Sequence, residues 1–198
     1  MEKIVAATQN KGKIREIDEI TSKLGFSVIS REEAGVPADF DTDETGTTFE
    51  ENSEMKAEDI MRITGMSAVA DDSGLVVDAL GGEPGVYSAR YAGEDHDDAA
   101  NRKLVLKRME GVPEEERTAR FVCVVTLVRP DGSKTICRGT VEGHIIEEER
   151  GENGFGYDPI FVPEGYDRTF AEMTAEEKNG ISHRGNALKA LEEKLSNI

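Results

Sequence analysis

The chain has 198 residues, of which 37% are hydrophobic and 33% charged, so it is globular, heavily solvated, and long enough for one large domain or two small lobes. Its net charge of −17 argues against a nucleic-acid groove or an anionic membrane surface as the main partner. The charge does not exclude a small polyanion, since a metal and a few local donors can overcome the global repulsion.

The N-terminus, Met1 to Ala7, is too short and too charged for a signal peptide, and no apolar stretch approaches membrane-spanning length. Ile4 to Ala7 reads as a buried strand. A helix is expected next, with Ile14, Ile17, Ile20 and Leu24 on one face and Gly25 as its stop. Phe26 to Ser30 is a second short strand, and residues 31–46 form an acidic loop. Thr48-Phe49-Glu50-Glu51 has the pattern of a capping box. It opens a helix carrying Phe49, Ala57, Ile60 and Met61, which Gly65 ends.

Ser67 to Ala70 reads as a buried strand that ends in Asp71-Asp72-Ser73-Gly74. Residues 78–93 are rich in glycine and turns. A helix from about Asp95 to Met109 carries Ala100, Leu104 and Val105, and Gly111 stops it. Arg120 to Val128 and Lys134 to Ile146 form a hairpin around Pro130-Asp131-Gly132-Ser133. Its two cysteines, Cys123 and Cys137, are not directly opposed in that hairpin, which suits reduced core thiols of a cytosolic protein. Gly151 to Tyr157 is a glycine-aromatic loop, and Ser182 begins a last helix with Leu188, Leu191 and Leu195 on one face. Strands alternate with helices early and a hairpin follows, which favours an α/β mixed sheet with helices on its faces. No repeat or linker divides the chain, so residues 1–198 read as one domain.

Five segments carry chemistry. Adjacent carboxylates at the end of a strand, Asp71 and Asp72, are costly unless a cation or proton neutralises them. Mg²⁺ or Mn²⁺ suits clustered oxygen ligands, although Asp, Ser and Gly also make ordinary turns. Thr8-Gln9-Asn10-Lys11-Gly12-Lys13 lies at a strand-to-helix junction, where free N–H groups and the helix dipole suit a phosphate. It is not a P-loop, since Ile14 follows the lysine where Ser or Thr is required. Thr8 and Asn10 can contact phosphate oxygens or simply cap the helix.

Glu44 precedes the second helix, on which Asn52 and Lys56 share a face, pointing at one anion or at solvent. In Gly154-Phe155-Gly156-Tyr157-Asp158-Pro159, flanking glycines allow close backbone approach, and Phe155 or Tyr157 can stack on a base or pack in the core. Lys178 precedes Ser182-His183-Arg184, a cationic pair at the helix end that disfavours cations. An anionic or carbonyl ligand explains that pair, and so does plain exposure.

Together, T-x-N-x-x-K at 8–13, A-D-D-S-G-L at 70–75, P-G-V-Y-S-A-R-Y at 84–91, F-G-Y-D-P at 155–159 and I-S-H-R-G at 181–185 resemble the inosine/xanthosine triphosphate pyrophosphatase family. The resemblance runs from Ile4 to the final helix with no departure at the motif positions. It implies an elongated, two-lobed mixed β-sheet with flanking helices and a central cleft, usually as a homodimer. It further implies cytoplasmic hydrolysis of purine nucleoside triphosphates to the monophosphate and pyrophosphate with one or more Mg²⁺ per subunit. By that resemblance Thr8, Gln9, Asn10, Lys11, Gly12, Lys13 and Lys56 hold the phosphates. Asp72 ligates metal and activates water, Glu44 is the second metal carboxylate, Asp71 supports them and Ser73 contacts substrate. Phe155, Gly156, Tyr157 and Asp158 receive base and sugar, and Lys178, His183 and Arg184 read the base edge. A nucleotide sensor without turnover and a pyrophosphatase for modified pyrimidines are the alternatives.

Overall fold

A computed structural model describes residues 1–93 and 97–196. Its six-stranded sheet has the order β2-β1-β3-β4-β5-β6. The first strand, β1 (Glu2–Ala6), is apolar and buried over Ile4, Val5 and Ala6, as a strand flanked on both edges must be. Helix α1 (Lys11–Thr21) carries the chain over to β2 (Phe26–Ser30), which pairs parallel with β1 in the register Ile4↔Val28. Asn10 caps α1 by accepting from the N–H groups of Gly12 and Lys13. Gly25, at φ +85°, turns the chain after the short 3₁₀ extension of α1.

Helix α2 (Phe49–Thr64) has the expected capping box, with Thr48 accepting from Glu51 N and Glu51 accepting from Thr48 N. Gly65 ends it in the left-handed conformation. Strand β3 (Ala68–Val77) pairs parallel with β1 at Val5↔Ala68 and Ala6↔Val69. It is ten residues long and does not end at the carboxylates as the sequence suggested. Asp71 and Asp72 lie within it because lysines neutralise both, and because Leu75 and Val77 resume the buried alternation beyond them. The two aspartates nevertheless stand past the last paired residue of β1.

Helix α3 (Asp98–Arg108) is capped by Asp97. The start expected at Asp95 falls outside the described residues. Strands β4 (Thr118–Val128) and β5 (Lys134–Ile145) form the expected hairpin, closed by a hydrogen bond from Arg129 N to Ser133 O. Cys123 and Cys137 are buried and form no disulfide. Strand β6 (Phe161–Pro163) pairs antiparallel with β5 at His144↔Val162, so the sheet is mixed. Helix α4 (Ala175–Ile181) follows, and α5 (His183–Ser196) closes the described chain.

The chain divides into two compact units. Among the described residues, one comprises residues 1–72, 123–139 and 186–196. Its core joins Ile4, Ile17, Val69, Val125, Leu127 and Leu188, and a second cluster holds Val5, Ile60 and Ala68. The other comprises residues 73–93, 97–122 and 140–185, with a core of Leu75, Val105, Met109, Phe121, Phe161 and Phe170.

Candidate active site

In the first unit the site grows out of the alternation along β3. Successive strand side chains point to opposite faces. Val69 packs with Ile17 of α1, while Ala68 packs with Ile60 of α2 and Ala70 with Ala57 of α2. Asp71 therefore follows Val69 to the α1 side, and Asp72 follows Ala68 and Ala70 to the α2 side. Each finds a lysine there. Lys13 Nζ lies 2.8 Å from Asp71 Oδ2, and Lys56 Nζ lies 2.8 Å from Asp72 Oδ1. The two aspartates thus point to opposite faces and take different lysines, although the Asp71 charge still acts on Lys56. Among the described residues, no three carboxylate, imidazole or thiol side chains gather into a metal cage.

Glu44 comes to the Asp72 side, with its Oε1 3.5 Å from Lys56 Nζ. The loop that carries it is anchored by Asn52, whose buried Oδ1 accepts from Gly46 N at 2.9 Å. Only glycine fits at position 46, since a Cβ there would meet that oxygen at 2.5 Å. Ser53 fixes the same helix to the sheet, donating to Thr126 Oγ1 at 2.8 Å and lying 3.3 Å from Ala70 O.

Burial and, after it, the nearby Glu44 charge raise the Asp72 pKa from its ordinary value, against the charge and hydrogen bond of Lys56. Burial by itself would lower Lys56, but the charges of Asp72 and Glu44 prevail and hold its pKa above the usual lysine value. The second Asp72 oxygen, Oδ2, is buried and makes no hydrogen bond of ordinary geometry, nor does Asn52 Nδ2, although Asn52 lies near enough to favour the ionised carboxylate. A buried carboxylate oxygen without a donor is expensive unless something binds it.

At the start of α1, Thr8 accepts from Asn10 N and Asn10 caps the helix, so capping occupies both side chains. Gln9, Asn10, Lys11 and Gly12 are exposed, and Lys13 is turned inward to Asp71.

The second unit holds the remaining candidates. Ser73 is half-buried in β3. Tyr157 is a core residue whose hydroxyl donates to Ser88 O at 2.7 Å, whereas the Phe155 ring is 63% exposed. Of the two aromatics the sequence offered for stacking, Phe155 is the accessible one. Asp158 is buried and accepts from Phe155 N at 2.9 Å and from Lys178 Nζ at 2.5 Å. Gly154 is required beside it, because a Cβ would fall 2.1 Å from Asp158 Oδ2. The Lys178 ammonium sits 4.5 Å from the Phe155 ring centre and 5.5 Å from that of Phe170. His183 stacks on Phe121 at 5.0 Å, and both His183 and Arg184 are buried. Plain exposure, one of the two explanations for this pair, is therefore excluded. Asp98 and Arg102, to which no motif pointed, reach the backbone of Gly156 from α3.

A model of the Ham1 family matches residues 4–194. The chain belongs to the Ham1 family. Two solved Ham1 proteins share the fold at a TM-score of 0.92 and 44% identity. One is from Staphylococcus aureus, covering 99% of each chain, and the other from Coxiella burnetii, covering 100% of each. Relatives within the Ham1 family include the dITP/XTP pyrophosphatase of Oceanobacillus iheyensis, 48% identical over 200 residues and 100% of both chains. The dITP/XTP pyrophosphatase of Bacillus subtilis is 50% identical over 195 residues and 98% of both chains.

Proposed function

We propose that this Ham1 protein hydrolyses deaminated purine nucleoside triphosphates, dITP, ITP and XTP, to the monophosphate and pyrophosphate. What carries the reading is the Asp72–Lys56–Glu44 group on a chain that matches dITP/XTP pyrophosphatases from end to end. Attack on a polyphosphate is chiefly a matter of positioning and charge neutralisation. Lys13 and Lys56 supply cationic charge, and the positive end of the α1 dipole adds to it, while the Gly12 and Lys13 N–H groups are taken up by the Asn10 cap. The unbonded Oδ2 of Asp72 takes the proton of the attacking water. Its raised pKa strengthens it as a base relative to an ordinary aspartate.

The donor set also fits a divalent cation. Mg²⁺ is usually held by one or two carboxylates plus substrate phosphates rather than by a closed protein cage. Asp72, with its unpartnered oxygen, and Glu44 on the same face of the sheet meet that description, and a cation held on Oδ2 would lower the pKa of the attacking water itself in place of direct proton transfer to that oxygen. When bound, such a cation supplies charge neutralisation and Lewis acidity.

Phe155 stacks on the base, while Lys178, His183 and Arg184 read its edge. Hypoxanthine and xanthine carry a carbonyl where adenine carries an amino group. Arginine and lysine only donate hydrogen bonds, so they accept the carbonyl and cannot satisfy the amino group. The homodimer and the cytoplasmic setting implied by the family resemblance belong to the same reading. Among the described residues no helix is long and apolar enough to cross a membrane.

The test is a panel of nucleoside triphosphates with Mg²⁺, scored for pyrophosphate against orthophosphate. The reading requires pyrophosphate, with dITP, ITP and XTP preferred over dATP. Orthophosphate as the product, or equal rates on all purines, overturns it.

A further inference from the structure

Phe155 poses a physical problem. It is a large, exposed aromatic at the tip of a glycine loop, and the single Lys178 ammonium 4.5 Å from its centre does not by itself fix the loop that carries it. Three features hold the backbone around it. Its own N–H donates to Asp158 Oδ2 at 2.9 Å. Gly156 N donates to Asp98 Oδ2 at 2.7 Å, and Gly156 O accepts from Arg102 Nη1 at 2.8 Å. Asp98 and Arg102 are four apart on α3, so one helix face grips both backbone groups of a single residue. Gly156 has φ +59°, a conformation other residues resist, and a Cβ there would meet nothing. The glycine therefore answers to the backbone conformation that the grip imposes, not to crowding. Arg102 is tied in turn by Glu149 at 3.0 Å, and its side chain is only 15% exposed.

We infer that Asp98 and Arg102 are positioning residues that hold the Phe155 ring ready for the purine base, and so set affinity for the nucleoside part of the substrate. The inference rests on the reading of Phe155 as the stacking platform and extends it to a helix that no motif marked. Neither residue touches the reacting phosphates in this assignment. Binding before chemistry is what they govern: a loop that must be ordered at the moment of binding costs affinity in proportion to the freedom it loses.

The experiment compares wild type with Asp98→Ala and Arg102→Ala, and with the conservative pair Asp98→Asn and Arg102→Lys. Each alanine variant should raise KM for dITP by about two- to tenfold, the worth of one hydrogen bond, and leave kcat within about twofold. Inhibition by inorganic tripolyphosphate, which has no base to stack, should be unchanged. Asn keeps an acceptor and Lys keeps a donor, so those variants should recover most of the loss. Amide hydrogen exchange at Phe155 and Gly156 should be faster in the alanine variants than in wild type. Unchanged exchange overturns the grip, as does a fall in kcat accompanied by weaker tripolyphosphate inhibition. If wild type itself fails to cleave dITP, the functional reading fails, and the exchange comparison still decides whether α3 orders the loop.

Discussion

Lys56 donates to Asp72 across 2.8 Å from the facing helix, yet the other oxygen of that carboxylate stays buried and unbonded. An ion pair meant only for stability would satisfy both oxygens. Here one oxygen is fixed and the other is held out for chemistry. Asp72→Asn keeps the shape and removes the charge and the base. Turnover of dITP should fall by about 10²–10⁴-fold, the usual contribution of a positioned general base, while nucleotide binding stays measurable by calorimetry. A variant that keeps most of its turnover transfers the catalytic role to Glu44 or Asp71.

The same residue should cost the protein stability. Burial, helped by the nearby Glu44 charge, raises the Asp72 pKa against the opposing pull of Lys56. With metal removed by chelator, the folded protein therefore holds its proton where the unfolded chain, titrating near an ordinary value of about 3.9, is already ionised. Stability is then greatest with Asp72 protonated, and is lost as pH rises through the window between the unfolded and the raised folded pKa. Asp72→Asn escapes that loss. In urea unfolding without metal, the variant should be the more stable protein at pH 7, and the gap should close below about pH 4. A more stable wild type at pH 7 means that the Lys56 pair outweighs the burial of the carboxylate.

How far the sequence discloses this arrangement depends on how local the signal is. Both ends of α2 are legible because a capping box and a left-handed glycine each act within a few residues. The hairpin and β2 are legible for the same reason. The continuation of β3 is not, because two aspartates read as a strand end unless their lysine partners, 58 and 16 residues away, are known. The divergence of Asp71 from Asp72 follows from strand alternation once the strand is extended through them. The short β6 and α4 are absent from the sequence reading, although the apolar run Ile160 to Val162 and a capping box at Thr174 and Glu177 mark them. Asp98 and Arg102 look like a solvated helix pair, and only the tertiary structure brings Gly156 between them.

Metal dependence separates this site from one that works through lysines alone. Exhaustive chelation should abolish pyrophosphate release, and Mg²⁺ should restore it. Ca²⁺ should restore it poorly, since it prefers more ligands and longer distances than one or two carboxylates and a polyphosphate supply. Activity that persists in protein shown to be metal-free by elemental analysis removes the cation from the reading.

Specificity is the sharpest test of the second unit. Arg184 is buried in the first turn of α5, next to the positive end of the helix dipole, where a cation is disfavoured. If it reads the six-position carbonyl, Arg184→Ala should cost dITP more than dATP. A hydrogen bond from a charged donor is worth roughly 1.5–3 kcal/mol, or about 10–150-fold in relative kcat/KM. Because the residue is buried, Arg184→Lys serves as the companion variant: it keeps a donor and the charge and should retain part of the preference. Lys13→Ala should instead weaken both substrates alike, since phosphate contacts carry no information about the base. Measuring the three variants on both substrates separates the roles. Equal losses on dITP and dATP for Arg184→Ala would move Arg184 to the phosphates or to the fold, and leave base reading to His183 and Lys178.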